Sequence, residues 1–117
     1  MSANYRFFNL AGALEYLGDR QGVLDMLPLF VQTLKRDVPD IAQCLAQGDT
    51  AQAASRLHSL KGFLPIFCFP ALVEEVVRVE KLCRTDPAAA VQSAYDALAS
   101  HLRSLGDEVA HFGAQST

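Results

Sequence analysis

Apolar residues recur along the chain at the three-to-four-residue spacing of amphipathic helices, and no segment alternates cleanly as a β-strand does. A short first helix is predicted over residues 10–17, because Gly18 and Asp19 then provide a stop and a new start. The second element carries one apolar stripe, which consists of Val23, Leu24, Leu27, Phe30, Val31 and Leu34. The pattern therefore predicts an all-α fold.

Two prolines interrupt the second element. Pro28 and Pro39 each remove a backbone amide donor from the helix, which favours a kink or a break. The apolar series nevertheless resumes at Ile41 and Leu45. One long bent helix and two shorter helices are both compatible with this pattern.

The third element has clear signals at both ends. Gly48 stops the preceding helix, and Asp49 or Thr50 can accept a hydrogen bond from the free amides of the next one. The helix is predicted from residue 51 towards residue 64. Pro65 should kink it or end it, since proline has no amide hydrogen to donate.

Prolines also mark the last two helices. A fourth helix is predicted from Pro70, because proline suits the first turn of a helix, and a fifth is predicted with Asp86 as its N-cap and Pro87 as its first residue. Short links between long amphipathic helices make neighbouring helices antiparallel. We predict an antiparallel up-down four-helix bundle with a short extra N-terminal helix, and a loose tail over residues 113–117.

Composition narrows the functional classes. The 117 residues fit a single domain over residues 1–117, with a core at about 8–112. The net charge of −3 argues against nucleic acid as a partner, because nucleic-acid binding needs a dense basic face. We identify no signal peptide and no span long enough to cross a membrane. Three widely spaced cysteines, Cys44, Cys68 and Cys83, fit reduced thiols in a core. A cytoplasmic monomer is expected.

The most informative segment is the string HSLKG at residues 58–62. The buried stripe of the third helix consists of Leu57, Leu60 and Leu64. At about 100° of rotation per residue, His58 points roughly 130° away from that stripe, and Gly62 lies one turn further along the same outer line. Lys61 lies on the flank, within reach of His58. The spacing thus predicts an exposed imidazole with a cation and a bare stretch of backbone beside it.

This arrangement suits nucleophilic chemistry. A neutral imidazole nitrogen is a nucleophile near physiological pH, because the ordinary pKa of histidine is about 6.5. The ammonium of Lys61 can neutralise the oxygens of a phosphoryl group on His58. Gly62 costs about 1 kcal/mol of helix stability relative to alanine, so its presence indicates a need for open space.

With these residues in view, the chain resembles the histidine-containing phosphotransfer domains, whose signature is H-x-L-K-G. The resemblance covers most of the chain in order and spacing. Besides HSLKG, it includes Leu17-Gly18-Asp19 before a helix, Phe30 in its middle, Gly48-Asp49 ahead of the histidine helix, Leu72 after it and Glu80 in the next helix.

The resemblance implies a phosphocarrier without autonomous catalysis. His58 would be phosphorylated, through Nε2, Lys61 would stabilise the phosphoryl charge and Gly62 would keep the approach open. The partners implied are receiver domains of response regulators and a hybrid sensor histidine kinase. The chain would need no cofactor of its own, because the Mg²⁺ ion would belong to the receiver.

Residues 63–70 depart from the family, with Cys68 where a glycine is expected and Phe63 where a small residue is expected. This departure affects the predicted docking surface, in which we include Ser55, Arg56, Pro65 and Phe69. Pro65 and Phe69 would lie near the His58 side if the helix continued.

Two alternatives are kept beside the carrier. One is a non-phosphorylated interaction module that binds or inhibits a receiver or sensor kinase, and the other is a structural bundle that dimerises through its aromatic hairpin. A metal site is rejected, because Glu108 and His111 form a single E-x-x-H pair where a di-iron bundle needs two such pairs and two more glutamates.

Overall fold

The computed structural model describes residues 5–115, and these form five α-helices joined by short connections. The helices are α1 (Leu10–Leu17), α2 (Arg20–Ala46), α3 (Thr50–Phe63), α4 (Pro70–Thr85) and α5 (Ala88–Gln115). The predicted all-α class and the short extra N-terminal helix are both confirmed.

The four long helices form a ring. Helix α2 packs on α3 and α5, and α4 packs on the same two neighbours, so that α3 and α4 lie on the opposite side of the bundle from α2 and α5. The bundle is elongated, with extents of 44 × 21 × 20 Å. Short turns between consecutive helices give the predicted up-down order.

Two tight turns begin α2 and α3 in the same way. Gly18 and Gly48 adopt φ angles of 93° and 77°, in the left-handed region that glycine tolerates without strain. The carboxylate of Asp19 then accepts a hydrogen bond from the amide of Gly22 at 2.8 Å, and that of Asp49 accepts one from Gln52 at 3.0 Å. Of the two predicted caps for α3, the structure therefore uses Asp49.

Helix α2 is one element in spite of its prolines. It runs over 27 residues with Pro28 and Pro39 inside it. Each proline leaves one carbonyl a turn earlier, at Leu24 and Lys35, without a helical amide partner. Both prolines lie on the exposed side, where those carbonyls can meet water, so packing of the opposite face keeps the helix continuous.

Proline also shapes the ends of the next helices. Helix α3 stops at Phe63, and Pro65 lies in the 3-10 turn that follows, Leu64–Ile66. Asp86, predicted as the N-cap of α5, lies two residues before the first residue of that helix. Its carboxylate instead accepts a hydrogen bond from the hydroxyl of Thr85, and its amide ends α4 by donating to the carbonyl of Leu82, both at 2.8 Å. Helix α5 starts one residue after Pro87.

The predicted loose tail is wrong over residues 113–115. Helix α5 continues to Gln115, while Ser116 and Thr117 lie outside the described residues. The physical reason is burial: Val109 and Phe112 pack into the core, with Phe112 only 3% exposed, so the last turns of the helix are held in place.

One hydrophobic cluster fills the bundle and extends from Phe8 to Phe112. Within it, the hydroxyl of Tyr95 donates a hydrogen bond to the carbonyl of Val38 at 2.8 Å. The three cysteines are unpaired and buried, as predicted, and burial raises the pKa of the Cys68 thiol to about 12. In the part of the chain that the structure describes, no helix is long and apolar enough to cross a membrane.

The segment before α1 is tied to two parts of the bundle. The carboxylate of Glu108 on α5 accepts hydrogen bonds from the backbone amides of Arg6, Phe7 and Phe8, each at 2.9 Å. The same segment bonds to the α3–α4 connection, where the amide of Phe69 donates to the carbonyl of Phe7 at 3.0 Å. Glu108, considered above only as a possible metal ligand, thus anchors the N-terminal segment.

Removing this anchor should destabilise the fold. Glu108→Ala leaves three amides without their charged acceptor, and hydrogen bonds to charged groups contribute about 1.5–3 kcal/mol each. Because the site is only partly buried, we expect the free energy of unfolding in urea to fall by about 2 kcal/mol. Glu74→Ala, at an exposed position of α4, is the control and should change it by less than about 0.5 kcal/mol. Equal stability of the two variants would contradict the anchoring role.

Candidate functional site

Helix α3 presents His58 on the outer face of the bundle. Its buried stripe consists of Ala53, Leu57 and Leu60. The side chain of His58 is 65% exposed, in agreement with the outward direction predicted from the helical rotation. A partner can therefore reach the imidazole without any opening of the bundle.

Behind His58 lies a buried carboxylate on the neighbouring helix. The side chain of Glu80 on α4 is only 4% exposed, and its Oε2 lies 3.3 Å from Nδ1 of His58. The same oxygen accepts a hydrogen bond from Arg84 at 2.8 Å, and Nζ of Lys61 lies 3.4 Å from Oε1. One carboxylate therefore faces three basic side chains, which offset part of the cost of burying it, while Oε1 has no hydrogen-bond partner among the described residues.

The contact with Glu80 favours one tautomer of His58, and the tautomer decides which ring nitrogen is available. An ionised carboxylate can only accept hydrogen bonds, so Nδ1 of a neutral imidazole faces Glu80 as the protonated nitrogen. The long 3.3 Å contact then leaves the lone pair on Nε2, which points away from Glu80. Nε2 is the nitrogen expected to react.

Lys61 and Arg84 form a cationic border around the imidazole. Their side chains are 34% and 65% exposed, so each can turn from Glu80 towards an anion bound at His58. Lys61 therefore interacts with Glu80 rather than directly with His58 in this state. Arg84 was not among the residues singled out from the sequence.

The open space expected beside His58 is present. A Cβ atom built on Gly62 would meet nothing within 4 Å, and Gly62 lies in the last turn of α3, one turn after His58. No close packing explains the glycine. A side chain here would instead project over the surface next to the imidazole.

Ser55 and Arg56 occupy different sides of α3. Ser55 is exposed one turn before His58, and its carbonyl accepts a hydrogen bond from the hydroxyl of Ser59 at 3.3 Å. Arg56 instead faces α2, where its Nε lies 2.7 Å from Oδ2 of Asp40. Arg56 thus forms an interhelical ion pair on the flank of α3.

Pro65 and Phe69 do not share one surface. The expectation that both lie near His58 required α3 to continue, and it ends at Phe63. Pro65 is exposed and lines a cleft of about 500 Å³ with Tyr16 of α1. Phe69, 40% exposed, lines a separate cleft of about 490 Å³ with Phe7 of the N-terminal segment.

The aromatic residues of this connection divide between core and surface. Phe67 is buried, with its ring centroid 4.3 Å from that of Phe30, and Phe63 packs against the same ring at 5.3 Å. Phe63 is half-buried, and Phe69 is the most exposed of the three rings.

Glu80 is the residue that the sequence analysis missed as part of the site. It entered only as an element of the family pattern, although Leu72, Val76 and Glu80 follow one another at four-residue spacing on the buried face of α4. A carboxylate on an apolar stripe is costly unless it has partners. The position of Glu80 on this apolar stripe was the sequence signal that could have identified it as a site residue. No group of three or more potential metal ligands occurs among residues 5–115.

Comparison of the sequence with models of protein families identifies a family for most of this chain. The model of the Hpt domain matches residues 25–111, from the early part of α2 to near the end of α5. The chain belongs to the Hpt domain family. Hpt domains are the histidine-phosphotransfer modules of two-component systems, where they carry phosphoryl groups rather than act as catalysts and interact with receiver domains. Neither the curated proteins nor the solved structures gave a match.

Within this Hpt domain, His58 and Gly62 of the family signature lie on the outer face of α3, and Leu60 of the signature is buried. The match includes α4 and therefore Glu80 and Arg84, whereas α1 precedes it. The geometry around His58 is thus built entirely from matched helices.

Proposed function

We propose that this Hpt domain relays a phosphoryl group between aspartates of receiver domains, through Nε2 of His58. The observation that supports this most is the exposed imidazole whose Nδ1 contacts the buried carboxylate of Glu80. That contact directs a nucleophilic nitrogen outwards, as an in-line displacement at phosphorus requires.

The proposed step is a transfer between two acceptors. The lone pair on Nε2 attacks the phosphorus of an aspartyl phosphate, the phosphorus–oxygen bond breaks, and the partner's carboxylate leaves. The ring gains positive charge as the nitrogen–phosphorus bond forms, and the carboxylate of Glu80 beside Nδ1 stabilises that charge. Lys61 and Arg84 neutralise the phosphoryl oxygens, and the reverse step returns the group to a second aspartate.

The partner completes the site. The proposed partners are receiver domains of response regulators and a hybrid sensor histidine kinase, with Mg²⁺ bound by the receiver. Gly62 leaves room for the receiver's active site, and Ser55 and Pro65 would contact its surroundings. Arg56 would contribute at the flank of this docking surface, whereas Phe69 lines a separate cleft with Phe7.

The proposal extends to organisation and location. Residues 1–117 would function as a single Hpt domain, which the continuous core from Phe8 to Phe112 supports. A cytoplasmic location suits receiver partners and three unpaired thiols.

A second function is favoured by one feature, the departure at residues 63–70. The partly exposed Phe69 and the cleft beside Pro65 are apolar contacts that a binding module could use without phosphorylation. In that case the domain would bind a receiver or kinase tightly and hold no phosphoryl group.

Labelling followed by peptide mapping tests the relay. The purified protein is mixed with receivers that carry labelled phosphoryl groups, and the product is digested with trypsin. Cleavage after Arg56 and Lys61 releases the five-residue peptide that contains His58. We expect label on this peptide in an acid-labile, base-stable bond, as a phosphoramidate shows. Binding without any label would favour the interaction module, and label on another peptide would overturn the assignment of His58.

Neutralising Glu80 should slow the transfer. In Glu80→Gln the side-chain amide can turn its NH₂ towards Nδ1, which stabilises the tautomer with the proton on Nε2 and removes the nucleophile. We expect the transfer rate to fall by about tenfold to a hundredfold. The ¹⁵N chemical shifts of the His58 ring should move towards the Nε2–H tautomer.

The chain offers a matched control in its other histidine–glutamate pair. Nδ1 of His101 lies 2.7 Å from Oε1 of Glu75, away from α3. Glu75→Gln should leave both the transfer rate and the His58 tautomer unchanged. If Glu80→Gln behaved like Glu75→Gln, Glu80 would have no positioning role.

A further inference from the structure

A long groove runs along the outer side of α2 and α5, opposite the side that carries His58. Two adjoining clefts of about 780 and 660 Å³ form it, and both are lined by Val31, Lys35 and Ala110. On α5 the groove extends from Asp96 to Gly113, which corresponds to about 26 Å of helix. A helix of another molecule could therefore lie along most of this side.

Small residues and prolines give the groove its depth. The small residues that α5 contributes are Ala99, Gly106, Ala110 and Gly113. On α2, Pro28 and Pro39 both line the groove, three helical turns apart. Neither a side chain nor a loop of the described residues covers this surface, so a second helix can approach the backbone of α5 closely.

Four charged side chains with no ion pair among residues 5–115 line the groove. Lys35 and Arg103 carry positive charge, Asp96 and Asp107 carry negative charge, and all four are exposed. The cations around His58, in contrast, are paired with a carboxylate. The groove therefore has balanced charge and unsatisfied groups of both signs, although the chain as a whole is acidic.

We propose that the occupant of this groove is a second copy of the chain, in a twofold dimer through α2 and α5. A twofold interface brings one patch against itself, so a patch with both signs of charge can pair each cation with an anion of its partner. Arg103 and Asp107 are one turn apart, and two antiparallel α5 helices with an axis between these positions would form the Arg103–Asp107 pair twice. The four groove charges cancel, so the contact adds no like-charge repulsion of its own to that between two chains of net charge −3.

The dimer would leave the phosphotransfer face open. His58 and Glu80 lie on the α3–α4 side of the ring, so both copies could be engaged at the same time. The monomer expected from the sequence would then be the low-concentration state. This proposal does not depend on phosphorylation of His58.

Charge-reversal variants test the proposal without assuming a register. One variant, K35E/R103E, has an all-acidic groove, and the other, D96K/D107K, has an all-basic groove. Sedimentation equilibrium of the full chain from about 10 µM to about 1 mM should show a reversible dimer for the parent. Each variant alone should dimerise at least about tenfold more weakly, and an equimolar mixture should recover the parental affinity. Higher salt should weaken the parental dimer, because the rim pairs are exposed.

Two controls keep the result specific. Glu74→Lys and Lys81→Glu reverse exposed charges on α4 and should leave the parental dimer unchanged. Circular dichroism checks that every variant folds. A parent that stays monomeric throughout the series would overturn the proposal, and so would a dimer that survives in both reversal variants or a mixture that fails to recover it. Binding of this groove to a different protein, with no self-association, would also overturn it.

Discussion

Replacing His58 with glutamine is expected to abolish phosphoryl acceptance, a fall in transfer rate of roughly a thousandfold or more. Glutamine keeps a polar side chain of similar reach but offers no nucleophilic nitrogen. Because the His58 side chain is 65% exposed, the free energy of unfolding should change by less than about 1 kcal/mol. The measurement is the rate of label transfer from a phosphorylated receiver, with urea unfolding of the same samples.

His101→Gln is the matched control for this experiment. His101 also contacts a glutamate through Nδ1, but it lies on α5 against the ring of Phe7, with centroids 5.2 Å apart. We expect it to accept label at the parental rate. Transfer to a folded His58→Gln protein at a rate close to that of the parent would remove the basis of the proposed relay.

The second large effect is expected at Gly62, where stability and transfer should move in opposite directions. Alanine has a helix propensity about 1 kcal/mol better than glycine, and its Cβ would meet nothing within 4 Å. Gly62→Ala should therefore raise the free energy of unfolding by about 0.5–1 kcal/mol. Gly62→Gln should stabilise the helix by a similar amount, while its long side chain covers the space next to His58 and slows transfer by about a hundredfold.

A bulky substitution elsewhere separates blocking from a general effect of added side chains. Ser93 is exposed on α5, away from α3, and Ser93→Gln should leave transfer unchanged. Urea unfolding and label transfer are measured on all four proteins. Should Gly62→Gln transfer as fast as the parent while it is folded, the glycine would not be there for access.

Most of the fold could be predicted from the helical periodicity of the apolar residues. The positions of α1 and α3 follow from glycine stops, aspartate caps and apolar stripes, which are local signals. The prolines of α2 could not be interpreted in the same way. Whether Pro28 breaks a helix depends on how well the opposite face packs, and that packing comes from α3 and α5, which are distant in sequence. The prediction of a loose tail was wrong over residues 113–115 for the same reason, because the burial of Phe112 holds the last turns of α5 in place.

The features of the site also divide into those that one helix determines and those that depend on the packing of two helices. The outward direction of His58 and the open space at Gly62 follow from rotation along one helix, so both could be predicted. The contact between His58 and Glu80 joins α3 to α4, and it depends on the relative register of two helices that the sequence does not display. Pro65 and Phe69 were placed by extending α3 past its real end, which is why they were expected beside His58.

The burial of Glu80 gives the phosphotransfer face a switchable sign. With a neutral imidazole, the formal charges of Lys61, Arg84 and Glu80 leave this face with about one positive charge, which attracts an acidic receiver pocket. A phosphoryl group adds nearly two negative charges and turns the same face negative. Glu80 cannot turn its carboxylate into solvent, because its side chain is enclosed between α3 and α4. The phosphorylated and unphosphorylated domains would therefore present electrostatic fields of opposite sign to their next partner.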